Sequence, residues 1–175
     1  IYDTADPYTR RVVLDRGQLG GVELGAPVMD EAGVLGQVTR VFPLVSEVTL
    51  LVDPGPAIPV LNVRAGVGGV GFGVPVAGHG GGMELRFMPA NADIREDDLL
   101  TTSGVDGLYA PGLPVARVVK VERRADSAFA RIYCAPLAQV QGARHVVVLK
   151  PLGDNELPRP DAAPAAPATK RGGRK

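Results

Sequence analysis

Glycine and proline punctuate this chain so densely that a long helix has nowhere to form. They supply 23 and 16 of its 175 residues, roughly twice the usual share. No segment keeps a 3.6-residue apolar period over a dozen positions. Between the breakers lie short apolar runs at residues 11–15, 27–29, 34–41, 47–52, 58–64, 67–76, 83–88, 99–102, 115–122, 129–135 and 144–149, which read as strands. Aromatic residues make up 5% of the chain and Trp is absent, against a hydrophobic content of 45%. The core must therefore be built from Val, Leu, Ile and Ala. Nineteen basic residues balance nineteen acidic ones, so the total charge does not point to nucleic acid.

Local patterns sharpen this picture. Gly33 closes a four-residue hairpin turn, 30–33, at a position expected to need unusual φ. Glycines 68, 69, 71 and 73 predict a strand that bends hard or meets another backbone closely. In 83–88 the alternation directs Leu85 and Phe87 inward and Glu84 and Arg86 outward. Gly25-Ala26-Pro27-Val28 returns as Gly112-Leu113-Pro114-Val115, and residues 48–54 return in type at 130–136. Two similar strand orders in one chain predict an all-β fold of two small barrel-like subdomains with short or no helices. One subdomain is expected to be inserted between strands of the other. Residues 1–10 read as a linker and 11–150 as the folded region. Residues 151–175, rich in Pro and Ala and ending in a basic cluster, cannot offset an ordering cost of about 1–2 kcal/mol per residue and are expected to be disordered.

The most specific stretch is 98–118. Leu99 to Thr102 reads as a strand, Gly104 and Gly107 supply the positive φ of a sharp reversal, and Pro111 and Pro114 suit a loop or an edge. Its Asp98-Leu99, Thr102-Ser103-Gly104, Gly107, Pro111-Gly112-Leu113-Pro114-Val115 and Val118 resemble the signature of the MreC family of bacterial rod-shape-determining proteins. The resemblance covers residues 11–149. Two positions depart from it: Asp97 and Ala116 stand where the family usually has Gly. Asp tolerates the left-handed region moderately well, and Ala is the next smallest side chain.

Catalytic and ligand-binding patterns fail on context. Gly78-His79-Gly80-Gly81-Gly82 resembles a lipase oxyanion loop, but none of Ser46, Ser103 and Ser127 sits in a G-x-S-x-G elbow. A trypsin-like double-barrel serine hydrolase needs a His for its Ser and an acid behind that His. The candidates are Ser103 with His79 or His145, and neither His sits in a suitable frame. Gly66 to Gly71 lacks the helix that a dinucleotide fingerprint requires. Asp93, Glu96, Asp97 and Asp98 read as a solvated acidic turn, without Ca²⁺-loop spacing. Cys134 reads as a small buried hydrophobe. No catalytic, metal or cofactor-binding residue is assigned. A peptidoglycan-binding module is disfavoured by the few aromatics.

A β-rich body without a reactive centre works through its surfaces. The MreC resemblance implies a non-catalytic periplasmic scaffold of the cell-elongation machinery. It implies binding to the elongation-specific penicillin-binding transpeptidase, cooperation with MreD, RodA and MreB, and self-association as dimers or filaments. It also implies an inner-membrane anchor upstream; the chain opens on Ile1-Tyr2 and is read as a fragment, with no run long enough to span a membrane. Phe72, Val74 and Tyr109, on or beside Gly/Pro loops, are the expected interface residues.

Overall fold

A computed structural model describes residues 2–3, 10–74, 81–143 and 145–152. His79, most of the 1–10 stretch and the 153–175 tail lie outside the described residues. The architecture is all-β. Twelve strands run β1 (Tyr2–Asp3), β2 (Arg11–Leu14), β3 (Pro27–Met29), β4 (Val34–Val41), β5 (Ser46–Leu50), β6 (Ala57–Asn62), β7 (Gly68–Val74), β8 (Gly82–Pro89), β9 (Leu99–Thr102), β10 (Pro114–Glu122), β11 (Phe129–Pro136) and β12 (Val147–Val148). The helical content of the described residues is one 3₁₀ turn, Gln18–Gly20, hung by two backbone bonds from the carbonyls of Phe42 and Pro43.

The strands form two units. One is an antiparallel six-stranded sheet in the order β1-β2-β5-β4-β3-β12, and the other is a closed barrel in the order β10-β11-β8-β7-β6-β9. All six barrel strands fall between β5 and β12 in the chain. The internal echo is structural: Gly25 (φ +83°) and Gly112 (φ +87°) make the same left-handed step, and Pro27 and Pro114 each open a strand behind it.

Each unit has its own core, and consecutive residues are divided between them. Val34 packs into the barrel cluster while Leu35 packs into the sheet cluster, and Leu51 and Val52 part in the same way. This is possible only if the backbones come very close. A Cβ at Gly33 would stand 2.7 Å from the Pro114 carbonyl oxygen. Gly33 thus serves close approach, and its φ is not positive. Along β7, Gly69 and Gly71 face the lumen. A Cβ at Gly69 would stand 2.8 Å from Met88 Sδ, and one at Gly71 3.0 Å from Met83 Cε. Glycines here make room for the two methionines that fill the barrel.

Polar pins hold the junction. Buried Asp53 accepts from the Arg10 and Gly55 amides at 3.0 and 2.8 Å. Asp30 accepts from the amides of Ala32 and Gly33 and, 109 residues along the chain, from Gln139 at 2.6 Å.

At Gly73 a Cβ would run into the backbone of Val52 and Asp53. Gly73→Ala is therefore expected to cost about 2 kcal/mol, the scale of core overpacking, read as a lowered midpoint in denaturant unfolding with an unchanged slope.

Candidate functional site: the outer wall of the barrel

Strand β8 departs from simple alternation. Met83 and Leu85 point inward as expected, but the register with β11 shifts between Ala130 and Ile132. Arg86 and Phe87 together oppose Arg131, which makes a bulge. Phe87 takes φ +61°, Met88 occupies the inward position, and Phe87 stands 74% exposed. The expectation of an inward Phe87 is thus reversed: the extra residue moves the alternation by one.

The consequence is an aromatic outer wall. On β7 the outward residues are Val70, Phe72 and Val74, opposite inward Gly71 and Gly73. Arg86 lies across Phe72, 4.8 Å from the ring centroid, a cation–π contact. Arg86 also approaches Glu84 at 3.8 Å. On β11, Phe129, Arg131 and Tyr133 point outward while Ala130, Ile132 and Cys134 are buried. Three of the chain's four phenylalanines lie on this wall. The fourth, Phe42, is 48% exposed in the loop that receives the 3₁₀ turn.

Of the three sequence-assigned interface residues, Phe72 and Val74 are half-buried on the wall. Tyr109 is not on the surface. It belongs to the barrel core cluster, and burial pushes its hydroxyl pKa upward. The Gly/Pro loop around it is tied at its neck. Thr102 Oγ1 donates to the Ala110 carbonyl at 2.5 Å and accepts from the Leu113 amide at 2.9 Å, and the Thr102 and Leu113 backbones pair. A loop fixed in this way can turn an aromatic ring inward. Phe87, Phe129 and Arg131 escaped the sequence reading. Adjacent Phe87 and Met88 are both apolar, and nothing local decides which enters the lumen.

The acidic turn is not solvated at Asp98. This carboxylate is buried and accepts from Arg64 Nε at 2.6 Å, Arg64 Nη2 at 2.8 Å, Asn62 Nδ2 at 2.6 Å and the Arg95 amide at 2.9 Å. Arg64 reaches on to Asp93 at 2.9 Å. The Arg64 guanidinium, helped by Asn62 and the Arg95 amide, holds the Asp98 pKa far below the carboxylate range against the opposing effect of burial. Asp97 takes φ +68°, in the left-handed region that Asp tolerates. Among the described residues, no group of three His, Cys, Asp or Glu side chains could hold a metal ion.

The serine–histidine pairing does not form among the described residues. Ser103 Oγ is buried without a hydrogen-bond partner. Exposed His145 lines a different place, a cavity of about 510 Å³ beside Met29, Asp30, Glu31 and Val147. Cys134 is buried, and desolvation pushes its thiol up to about 12.

The family model for the rod shape-determining protein MreC, barrel core, matches residues 1–150. The chain belongs to the MreC family. It is 38% identical over 146 residues to the cell shape-determining protein MreC of Escherichia coli (strain K12), a match covering 82% of this chain and 38% of that protein. The chain spans about two fifths of the length of the curated MreC relatives it matches, 38% and 41% of two of them. MreC from Pseudomonas aeruginosa has the same fold, with TM-score 0.80 and 36% identity over 85% of this chain and 94% of that one. MreC in a complex with a Penicillin-Binding Protein (PBP2) from Helicobacter pylori also shares the fold, with TM-score 0.65 and 19% identity over 86% and 92% of the two chains. Among the described residues, no helix is long and apolar enough to cross a membrane.

Two outcomes follow from these environments. Cys134 should resist a thiol reagent in the native protein and react only on unfolding. Asp98→Asn should cost about 2 kcal/mol at neutral pH, the scale of a hydrogen bond to a charged group. Because the folded pKa is depressed, Asp98 stabilises the fold above the unfolded value of about 3.9, and that contribution fades as pH falls toward the folded value. The gap between parent and variant in unfolding midpoint should therefore narrow below about pH 4.

Proposed function

We propose that this chain is the periplasmic barrel region of a non-catalytic scaffold in the cell-elongation machinery. It binds the elongation-specific penicillin-binding transpeptidase through the outer wall of its barrel. The observation that carries this reading is the placement of Phe72 and Val74 on that wall, in a chain of the MreC family. The complex of a fold relative with a penicillin-binding protein supports the choice of partner. A bound protein shifts an enzyme between states only through different affinity for each, and the barrel wall is the surface through which this chain would act. Self-association through exposed sheet edges, work alongside MreD, RodA and MreB, and a membrane anchor in the longer protein complete the proposal.

Size-exclusion chromatography of the chain with the periplasmic domain of its cognate transpeptidase tests it. A 1:1 or higher complex is expected, and Phe72→Glu should weaken it without lowering the melting temperature. Absence of a complex with the parent chain would overturn the proposed partner.

A further inference from the structure

We propose that one end of the sheet unit, built from the 42–45 loop and the 3₁₀ turn Gln18–Gly20, is a peripheral contact that enters an anionic phospholipid surface, with the basic cluster 170–175 as its electrostatic partner. This face is not used by the proposed transpeptidase contact, and the inference stands without that reading. The two loops form one tip. The Gln18 and Leu19 amides donate to the Phe42 and Pro43 carbonyls at 2.8 and 3.0 Å. A Cβ at Gly17 would collide with the backbone of Phe42 and Val45, so the turn lies directly on the loop. Leu19 and Leu44 are 79% and 72% exposed, and Phe42 and Val45 are exposed beside them. Residues 17–22 and 41–46 carry no charged side chain. Four apolar side chains at the end of a hairpin, held out of the core, mark a surface that meets something apolar.

The backbone of the tip favours lipid as the occupant. Lipid tails offer no hydrogen bonds, so a segment that enters them must satisfy its own polar groups. Pro43 has no N–H, and the Phe42 amide donates to the Val45 carbonyl at 2.9 Å. The Gly20, Gly21 and Val22 amides donate within the turn, to the carbonyls of Gly17, Gln18 and Gly17, at 2.9, 3.0 and 3.2 Å. Among the described side chains, the charges around the base of the tip nearly balance: Arg11, Arg16, Arg40 and Lys150 stand with Asp15, Glu23 and Glu47, and Arg11 pairs with Glu47 at 2.8 Å. Attraction to an anionic surface must come from elsewhere in the chain. Leu149, Lys150 and Pro151 share a recess with Gly20, Gly21 and Glu23, so residues 153–175 set out beside the tip. That tail closes on Lys170, Arg171, Arg174 and Lys175, and its acids, Asp154, Glu156 and Asp161, all precede residue 162. Residues 153–169 can span about 50 Å at roughly 3.1 Å per residue of a Pro-rich chain, which lets the basic cluster meet any surface the tip touches. A small apolar insertion or a basic cluster alone holds a membrane weakly, and the two together hold it stably.

Co-sedimentation of the whole chain with vesicles tests the contact. Vesicles of phosphatidylcholine and phosphatidylglycerol in equal parts should carry the chain down, and vesicles of phosphatidylcholine alone should carry down much less. The double variant Leu19→Ser, Leu44→Ser should bind the mixed vesicles about tenfold or more weakly, with the parent's melting temperature, because both side chains are exposed. Replacing Lys170, Arg171, Arg174 and Lys175 by Gln should weaken binding about tenfold or more and remove most of its salt dependence. Leu44→Cys carrying an environment-sensitive dye should shift to the blue on the mixed vesicles; Cys134 is buried, so the label sits at 44. A parent chain that stays in solution, an unshifted dye, or either substituted chain binding like the parent would overturn the inference. If the double Ser variant binds vesicles like the parent but sediments as a smaller species in analytical ultracentrifugation, the tip is a contact between copies of the chain and the inference is likewise overturned. None of these results bears on the transpeptidase, so the two readings fail separately.

Discussion

The interior of a six-stranded barrel is narrow, and that narrowness governs the rest of the molecule. Barrel diameter grows with strand number, and eight strands leave space only for side chains. Here the lumen is filled by Met83, Leu85, Met88 and Ile132 against Gly69, Gly71, Ala116 and Ala130. No phenylalanine is found in either core cluster. The small residues do not weaken the barrel; they are the condition for the methionines to lie across it. Alternation along β7 and β11 and the bulge in β8 put three of the four phenylalanines on the outer face, while Tyr109 is the aromatic side chain of the barrel core cluster.

The same economy of space joins the two units. Gly33 and Gly73 allow backbones to approach where any side chain would collide, and Val34/Leu35 and Leu51/Val52 then divide between two cores. Asp30 and Asp53 convert that proximity into directed hydrogen bonds. Sheet and barrel are thereby locked to one another through backbone as well as side chains.

Much of this was legible in the residues. Gly/Pro punctuation marked the strands, the repeated Gly-x-Pro-Val marked the equivalent strand starts, and the positive φ at Gly104 and Gly107 followed from the turn chemistry around them. Three things were not legible, for distinct reasons. Asp98 looked solvated because Asn62 and Arg64, which bury it, are more than thirty residues away in sequence. Tyr109 looked exposed because its loop is rich in Gly and Pro, and the Thr102 clasp that turns it inward is a tertiary contact. Phe87 looked buried because a bulge leaves no mark when the residues on either side of it are equally apolar. Part of the wall was hidden with it: Phe72 and Val74 were named from the sequence, whereas Phe87, Phe129 and Arg131 were not.

Hydrogen–deuterium exchange of the chain, alone and with the periplasmic domain of its cognate transpeptidase, tests the central claim that the barrel wall is where this molecule is touched. Slowed exchange across residues 68–74, 82–89 and 129–136 is the outcome the wall requires. Protection confined to the opposite unit, at the 3₁₀ turn and the 42–45 loop, with the barrel strands unchanged, would contradict it.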